Sequence, residues 1–325
     1  MRGGHRVCVT IFSRLLVIDK EALVREWVMI GVPSSAGAHH AGQERAPAAL
    51  RAAGMIGRLR AAGLSVADAG DLPGTPFAVD HDHPRARSVA AVARVAQQVA
   101  DAVAGVLADG RLPLVVGGDC TITLGVIAGF RRAHPDTGLV YLDGDADVST
   151  PESTGSGIFD SMGVAHLLGQ GAVELTRLAG EPPLLEPRRL ALVGADPRET
   201  DLAGRRFLAD RGVSFQEGPA LAADPVGVAS RALDAVTSGS GTSGSGPLVL
   251  HFDVDVVDSG DLPLANFPHY GSGVLLEHVA SCLRTLLAHE SVAGLVLTEV
   301  NPTHDADGAI LSRYLDGLVS AMTGS

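Results

Sequence analysis

Three carboxylates, Asp143, Asp145 and Asp147, stand at alternate positions where the apolar run LVYLDGDAD breaks off. Like charges set this close repel unless a cation lies among them, so acids at i, i+2 and i+4 point to a divalent metal. An acidic, solvated turn is the plain alternative. Matching ligands from other segments would separate the two readings, and the sequence offers several. Asp119 and Cys120 follow the apolar stretch 112–116, Asp253 and Asp255 follow 248–252, and Glu299 follows 292–297. Five aspartates exceed what one ion needs. Two ions bridged by shared oxygens fit better, an arrangement that aims a hydroxide at an sp² carbon or a phosphorus.

Such residues need a frame. Apolar runs at 28–32, 64–66, 112–116, 138–142, 190–193, 213–215, 248–252 and 292–297 predict strands. Between them, Val89, Val92, Val95, Val99, Val103 and Val106 recur at helical spacing and predict a helix over 85–108. Further helices are expected at 121–132, opened by Thr121, from within Asp196–Thr200, at 225–236, at 275–287 and at 309–322. The strand runs are continuously apolar rather than alternating, which implies a mostly parallel sheet covered on both faces. The expected fold is a three-layer α/β/α sandwich of about eight strands, one domain over 28–325. Ligands of an open parallel sheet bind outside the carboxyl ends of its strands, where every candidate above stands. Residues 1–27 are expected to form a poorly ordered extension, and TSGSGTSGSG at 237–246 a flexible surface loop.

Composition narrows the partners. The net charge of −12, with no segment rich in Lys and Arg, argues against nucleic acid and anionic membrane and is compatible with a small cationic substrate. No apolar run is read as a membrane span. Cys8, Cys120 and Cys282 are odd in number and scattered, which argues against a disulfide framework and for a reducing cytoplasm. Among the histidines, His39 and His40 sit in a Gly-containing loop expected at the rim of the site. His166, His251, His269 and His304 read as surface or packing residues, with His251 expected to alternate away from Asp253 and Asp255.

Taken together, IGVPSSAGAHHAGQERAP, GGDCTITLG, LDGDAD, STPESTGSG, HFDVDVVD and TEVNP resemble the ureohydrolases, the arginase and agmatinase family, in that family's order. The resemblance runs from Gly31 to the C-terminal helix. It implies a three-layer parallel fold and hydrolysis of a guanidino group, releasing urea, by hydroxide between two manganese ions. By position it implies Asp143 and Asp253 as bridging ligands. Asp147 would bind one ion and hold the hydroxide, and Asp255 would bind the other. Glu299 would pair with the substrate guanidinium, and Ser149 and Ser156 would contact the polar end of an amino-acid substrate. Family members are often trimers or hexamers, so a homo-oligomer is compatible.

Three departures matter. The family carries histidine at the positions of Cys120 and Asp145, and a proton-moving histidine where Asp160 stands. Thiolate and carboxylate still bind metal, so Cys120 and Asp145 remain candidate ligands, and Asp160 remains a candidate proton carrier whose pKa must rise toward neutrality. The added negative charge makes hydroxide scarcer, and a thiolate shifts preference toward Zn2+; a single ion is the other alternative to two Mn2+. Cys120 and the stretch Thr150–Thr154 with Met162 are also similar to the Nω-hydroxy-L-arginine hydrolase of D-cycloserine biosynthesis, which keeps the middle histidine. The expected function is therefore an amidinohydrolase with an atypical ligand set. The alternative is a non-catalytic member with weakened metal binding, serving as a binding or structural protein.

Overall fold

The structure, a computed structural model, describes residues 25–238 and 246–324. Most of the expected extension and of the Gly/Ser tract thus lie outside the described residues. The strands are β1 (Trp27–Val32), β2 (Val66–Asp71), β3 (Leu112–Gly117), β4 (Gly138–Leu142), β5 (Leu190–Ala195), β6 (Ser214–Glu217), β7 (Leu248–Asp253) and β8 (Val292–Thr298). They form one parallel sheet in the order β2-β1-β3-β8-β7-β4-β5-β6. β1, β3, β4, β5, β7 and β8 are buried along their whole length, as continuously apolar strands between two helical layers must be.

The helices lie close to expectation where the apolar period is clear. Val89–Ala108 buries Val92, Val95, Val99, Val103 and Val106 on one face. It packs against Ile122–Arg131 at very short range, because a Cβ on Gly125 or Gly129 would come within 2.3 or 2.8 Å of the carbonyls of Ala96 and Ala100. By length and composition alone Val89–Ala108 is apolar enough to cross a membrane, contrary to the expectation that no run is; its valine stripe is buried in the core.

Two expectations need correction. The second strand lies at 66–71, not 64–66, because it is an edge strand whose polar, Gly-containing sequence carries little apolar signal; only Val66 is buried. The helix expected from Asp196–Thr200 begins at Leu202, capped by Asp201, which accepts a 2.7 Å hydrogen bond from Gly204 N. Asp196 is thereby released for another task.

The strand order is what positions the site. β8 and β7 are inserted between β3 and β4, so four central neighbours end side by side. Each carries its polar residues just past, or at, its carboxyl end: Cys120 after β3, Glu299 after β8, Asp253 on β7 and Asp143 after β4.

Candidate metal centre

The loops that leave these four strands turn sharply. Asp147 and Glu299 adopt left-handed backbone at φ 50° and 60°, a conformation that costs a non-glycine residue about 1–3 kcal/mol. Both are held there. Tyr141 Oη donates to Asp147 Oδ2 at 2.7 Å, Glu299 N donates to the Gly118 carbonyl at 3.0 Å, and Gln43 Nε2 donates to Glu299 Oε2 at 2.7 Å.

The donor atoms gather into two adjoining clusters. In the inner one Cys120, Asp143, His251 and Asp253 are all buried and bring one atom each within 4.8 Å of the others. Cys120 Sγ lies 3.5 Å from His251 Nε2 and donates to Asp253 Oδ2. In the outer one Asp145, Asp255 and His269 meet at the same spacing, with His269 Nε2 3.7 Å from a carboxylate oxygen of each acid. Asp143 and Asp253 of the inner cluster are tied to the outer one through the backbone. Their Oδ1 atoms take the amide hydrogens of Asp145 and Asp255 at 2.6 and 2.8 Å, and Asp255 Oδ1 takes that of Gly144 at 2.9 Å. The backbone thus fixes the acids in a charged-ready pose.

Electrostatically this is an overloaded site. Burial first, then the neighbouring acids, push Asp143, Asp147, Asp253, Asp160 and Glu299 well above the usual carboxyl range and the Cys120 thiol well above its own. Asp145 rises to about 7 for the same reasons. Burial alone drops His251 to about 3, so its ring is neutral at ordinary pH. Burial opposes charge on His269 too, but Asp255, Asp145 and Asp196 outweigh it and lift the ring to about 9. Carboxylates packed this way need added positive charge. Two buried atoms aimed into the group, His269 Nε2 and Glu299 Oε1, have no hydrogen-bond partner, as expected of groups built to meet something else. The residues fit divalent metal.

The arginase family profile matches residues 25–322. The chain belongs to the arginase family. It is 30% identical to an arginase of Bacillus caldovelox over 85% of this chain and 91% of that one, and 28% identical to arginase-1 of Homo sapiens over 85% and 84%. The solved B. caldovelox arginase superposes with a TM-score of 0.81 at 26% identity, covering 92% of this chain and 98% of that one. A Trypanosoma cruzi formiminoglutamase solved with Mn2+ shares the fold at a TM-score of 0.71 and 18% identity, over 92% and 93% of the two chains. Arginase-family enzymes bind divalent metal, and the two clusters are where this member could do so.

The clusters open into a cavity of about 620 Å³ lined by Asp145, Asp147, Ser149, Ser156, Asp160 and Glu299 among others. All the metal and catalytic candidates read from the sequence therefore meet in one place. Asp160 Oδ1 accepts the Cys120 amide hydrogen at 3.0 Å and lies with Cys120 and Glu299 in a third group of donors. His39 lines the same cavity, as expected of its loop, which Asp119 fastens by accepting from Gly37 N at 3.0 Å. His166 is a packing residue, its ring bonded to Met162 O and Ala172 N.

Two expectations fail here. His251 does not turn away from the aspartates: residues two apart on a strand share a face, and His251 and Asp253 both reach Cys120. His269 is neither surface nor mere packing; it is buried and faces Asp145 and Asp255. The first was legible in the two-residue spacing. The second sits in an irregular loop where no periodicity signals direction.

Proposed function

We propose that the protein is a metal-dependent amidinohydrolase that cleaves a guanidino or related amidino C–N bond and releases urea or a urea derivative. The observation that carries this reading is Glu299, which is buried at the cavity wall, has no hydrogen-bond partner on Oε1, and brings a carboxylate oxygen within 4.8 Å of donor atoms of Cys120 and Asp160. A planar, cationic amidino group is the chemical complement of such a carboxylate. Two divalent ions, when bound, lower the pKa of water and polarise the scissile carbon. The chain's residues do the rest. Asp143, Asp253, Asp147 and Asp255 supply the ligand oxygens, with Asp145 and Cys120 as further donors. Glu299 holds the amidino group against them. Asp160, whose carboxyl burial and then Asp119 push well above the usual range, can hand a proton toward the leaving nitrogen. Ser149 and Ser156 at the cavity wall suit the polar end of the substrate.

The test is urea release by purified protein supplied with Mn2+ or Zn2+ and offered L-arginine, agmatine, Nω-hydroxy-L-arginine and, for a released formamide, N-formimino-L-glutamate. Turnover of one of them, abolished by chelation, is expected. A protein that binds neither ion sinks the reading. The replaced histidines favour a second reading, a non-catalytic binding member, in which Asp253→Ala would leave function untouched.

A further inference from the structure

Two imidazoles stand among the donors, each with Nδ1 set against a fixed oxygen, by a hydrogen bond in His251 and by charge attraction in His269. His251 is fully buried and lies flat on Tyr141, the rings 3.8 Å apart and 2° from parallel. Its Nδ1 shares a 2.7 Å hydrogen bond with Thr123 Oγ1, while Nε2 faces Cys120 Sγ at 3.5 Å and Asp143 Oδ2 at 3.8 Å. His269, 2% exposed, places Nδ1 3.4 Å from Asp196 Oδ2 and leaves Nε2 without a hydrogen-bond partner, aimed between Asp145 and Asp255. Asp196 is itself pinned, by Arg198 at 2.9 Å and by Ser272. A ring whose Nδ1–H is taken by a fixed oxygen offers its Nε2 lone pair forward, which is how metal-binding histidines are oriented.

We propose that His251 and His269 are metal donors, one in each cluster, with Thr123 and Asp196 as their positioning residues, restoring from β7 and from the loop at 260–273 the imidazoles that Cys120 and Asp145 displace. The proposal rests on the metallohydrolase reading and deepens it by naming the ions. Sulfur, imidazole nitrogen and carboxylate oxygen in the inner cluster suit a borderline-soft ion, Zn2+ or Co2+. With metal–sulfur and metal–nitrogen bonds of about 2.3 and 2.0 Å at a tetrahedral angle, the two donors fall about 3.5 Å apart, which is the Cys120 Sγ to His251 Nε2 separation. The outer cluster, two carboxylates and one imidazole, suits a harder ion such as Mn2+. The centre is then heterometallic by design of its donors.

Metal-stripped full-length protein, titrated with Co2+ and separately with Mn2+, tests this by absorption and by metal analysis after dialysis. Expected is a thiolate-to-cobalt charge-transfer band that Cys120→Ser abolishes and that requires at least about tenfold more Co2+ in His251→Gln. His269→Gln is expected to keep the band and lose the second ion. Thr123→Val and Asp196→Asn leave the rings in place and should each weaken their own cluster by about 10–100-fold; they serve where a histidine variant loses its far-ultraviolet circular dichroism. Parental affinity for both ions in the two histidine variants and the two positioning variants overturns the proposal while the metallohydrolase reading stands. Parent protein that binds no ion overturns both.

Discussion

The inner and outer clusters use one plan, an imidazole with its Nδ1 held and its Nε2 set against carboxylates, yet they answer to pH in opposite ways. His251 sits among sulfur, hydroxyl and aromatic ring, where burial strips it of charge; His269 sits among three acids that charge it. What differs is not the ligand but its counterweight. Thr123 offers a neutral oxygen and Asp196 a negative one, kept ionised by Arg198 and Ser272 although burial opposes it. The fold can thus bring imidazole to a metal either as a ready neutral donor or as a cation that must first give up a proton.

The largest effect should come from Asp253, a member of the inner cluster that also accepts the amide hydrogen of Asp255 in the outer one. Asp253→Ala removes both the carboxylate that Cys120 meets and the acceptor of the Asp255 amide, and activity should fall more than the roughly 100-fold that loss of an outer partner costs. Stability should move the other way. The metal-free variant, relieved of one crowded acid, should unfold no earlier than metal-free parent in a thermal melt. Lower melting together with retained turnover would take Asp253 out of the metal centre and leave it a packing residue.

Next comes pH. In chelated protein, His269 is raised from 6.5 to about 9, so its stabilising share is full below pH 6.5 and lost as pH climbs through 9. His251 is lowered from 6.5 to about 3, so the unfolded chain takes up its proton first, and stability falls as pH drops from 6.5 toward 3. Each share is on the order of a few kcal/mol at its extreme. Melting temperature against pH should therefore lose its alkaline slope in His269→Gln and part of its acid slope in His251→Gln. Equal slopes in parent and variants would put both rings in like surroundings.

How much of this could be read from the chain follows from where each residue stands. Asp143, Asp253 and Glu299 were legible because each terminates a continuously apolar run, and a parallel sheet brings such ends to one side. The six inner strands were legible for the same reason, whereas the edge strands β2 and β6, freed from the need for apolar residues, lie at 66–71 and 214–217 rather than at 64–66 and 213–215. The adjacency of β3, β8, β7 and β4 was not legible, since no spacing in the chain says which strands are neighbours. Asp196 looked like a helix start and is instead a buried anchor, because only the folded loop at 260–273 brings His269 to it.

A smaller effect separates the positioning partners. Asp196→Asn keeps shape and one acceptor oxygen but gives up the charge that holds the His269 Nδ1 proton. Affinity for the outer ion should fall by about 10–100-fold, measured by competition with a chelator, while the inner cobalt spectrum stays parental. A change confined to the inner spectrum would reverse the assignment of the clusters.

The smallest effect isolates the shelf on which His251 rests. Tyr141 does two things: its ring stacks on His251, and its hydroxyl donates to Asp147 Oδ2 at 2.7 Å. Tyr141→Phe keeps the stack and deletes the donor. Metal-free protein should then lose about 1 kcal/mol, the usual worth of one hydrogen bond, with a further share if Asp147 is left ionised and unpaired. With metal bound the loss should shrink, because an ion satisfies the same oxygen. Chemical denaturation with and without metal reads both numbers. A cost that is larger with metal than without would mean that the hydroxyl serves the ion's ligand shell more than it serves the strained turn at Asp147.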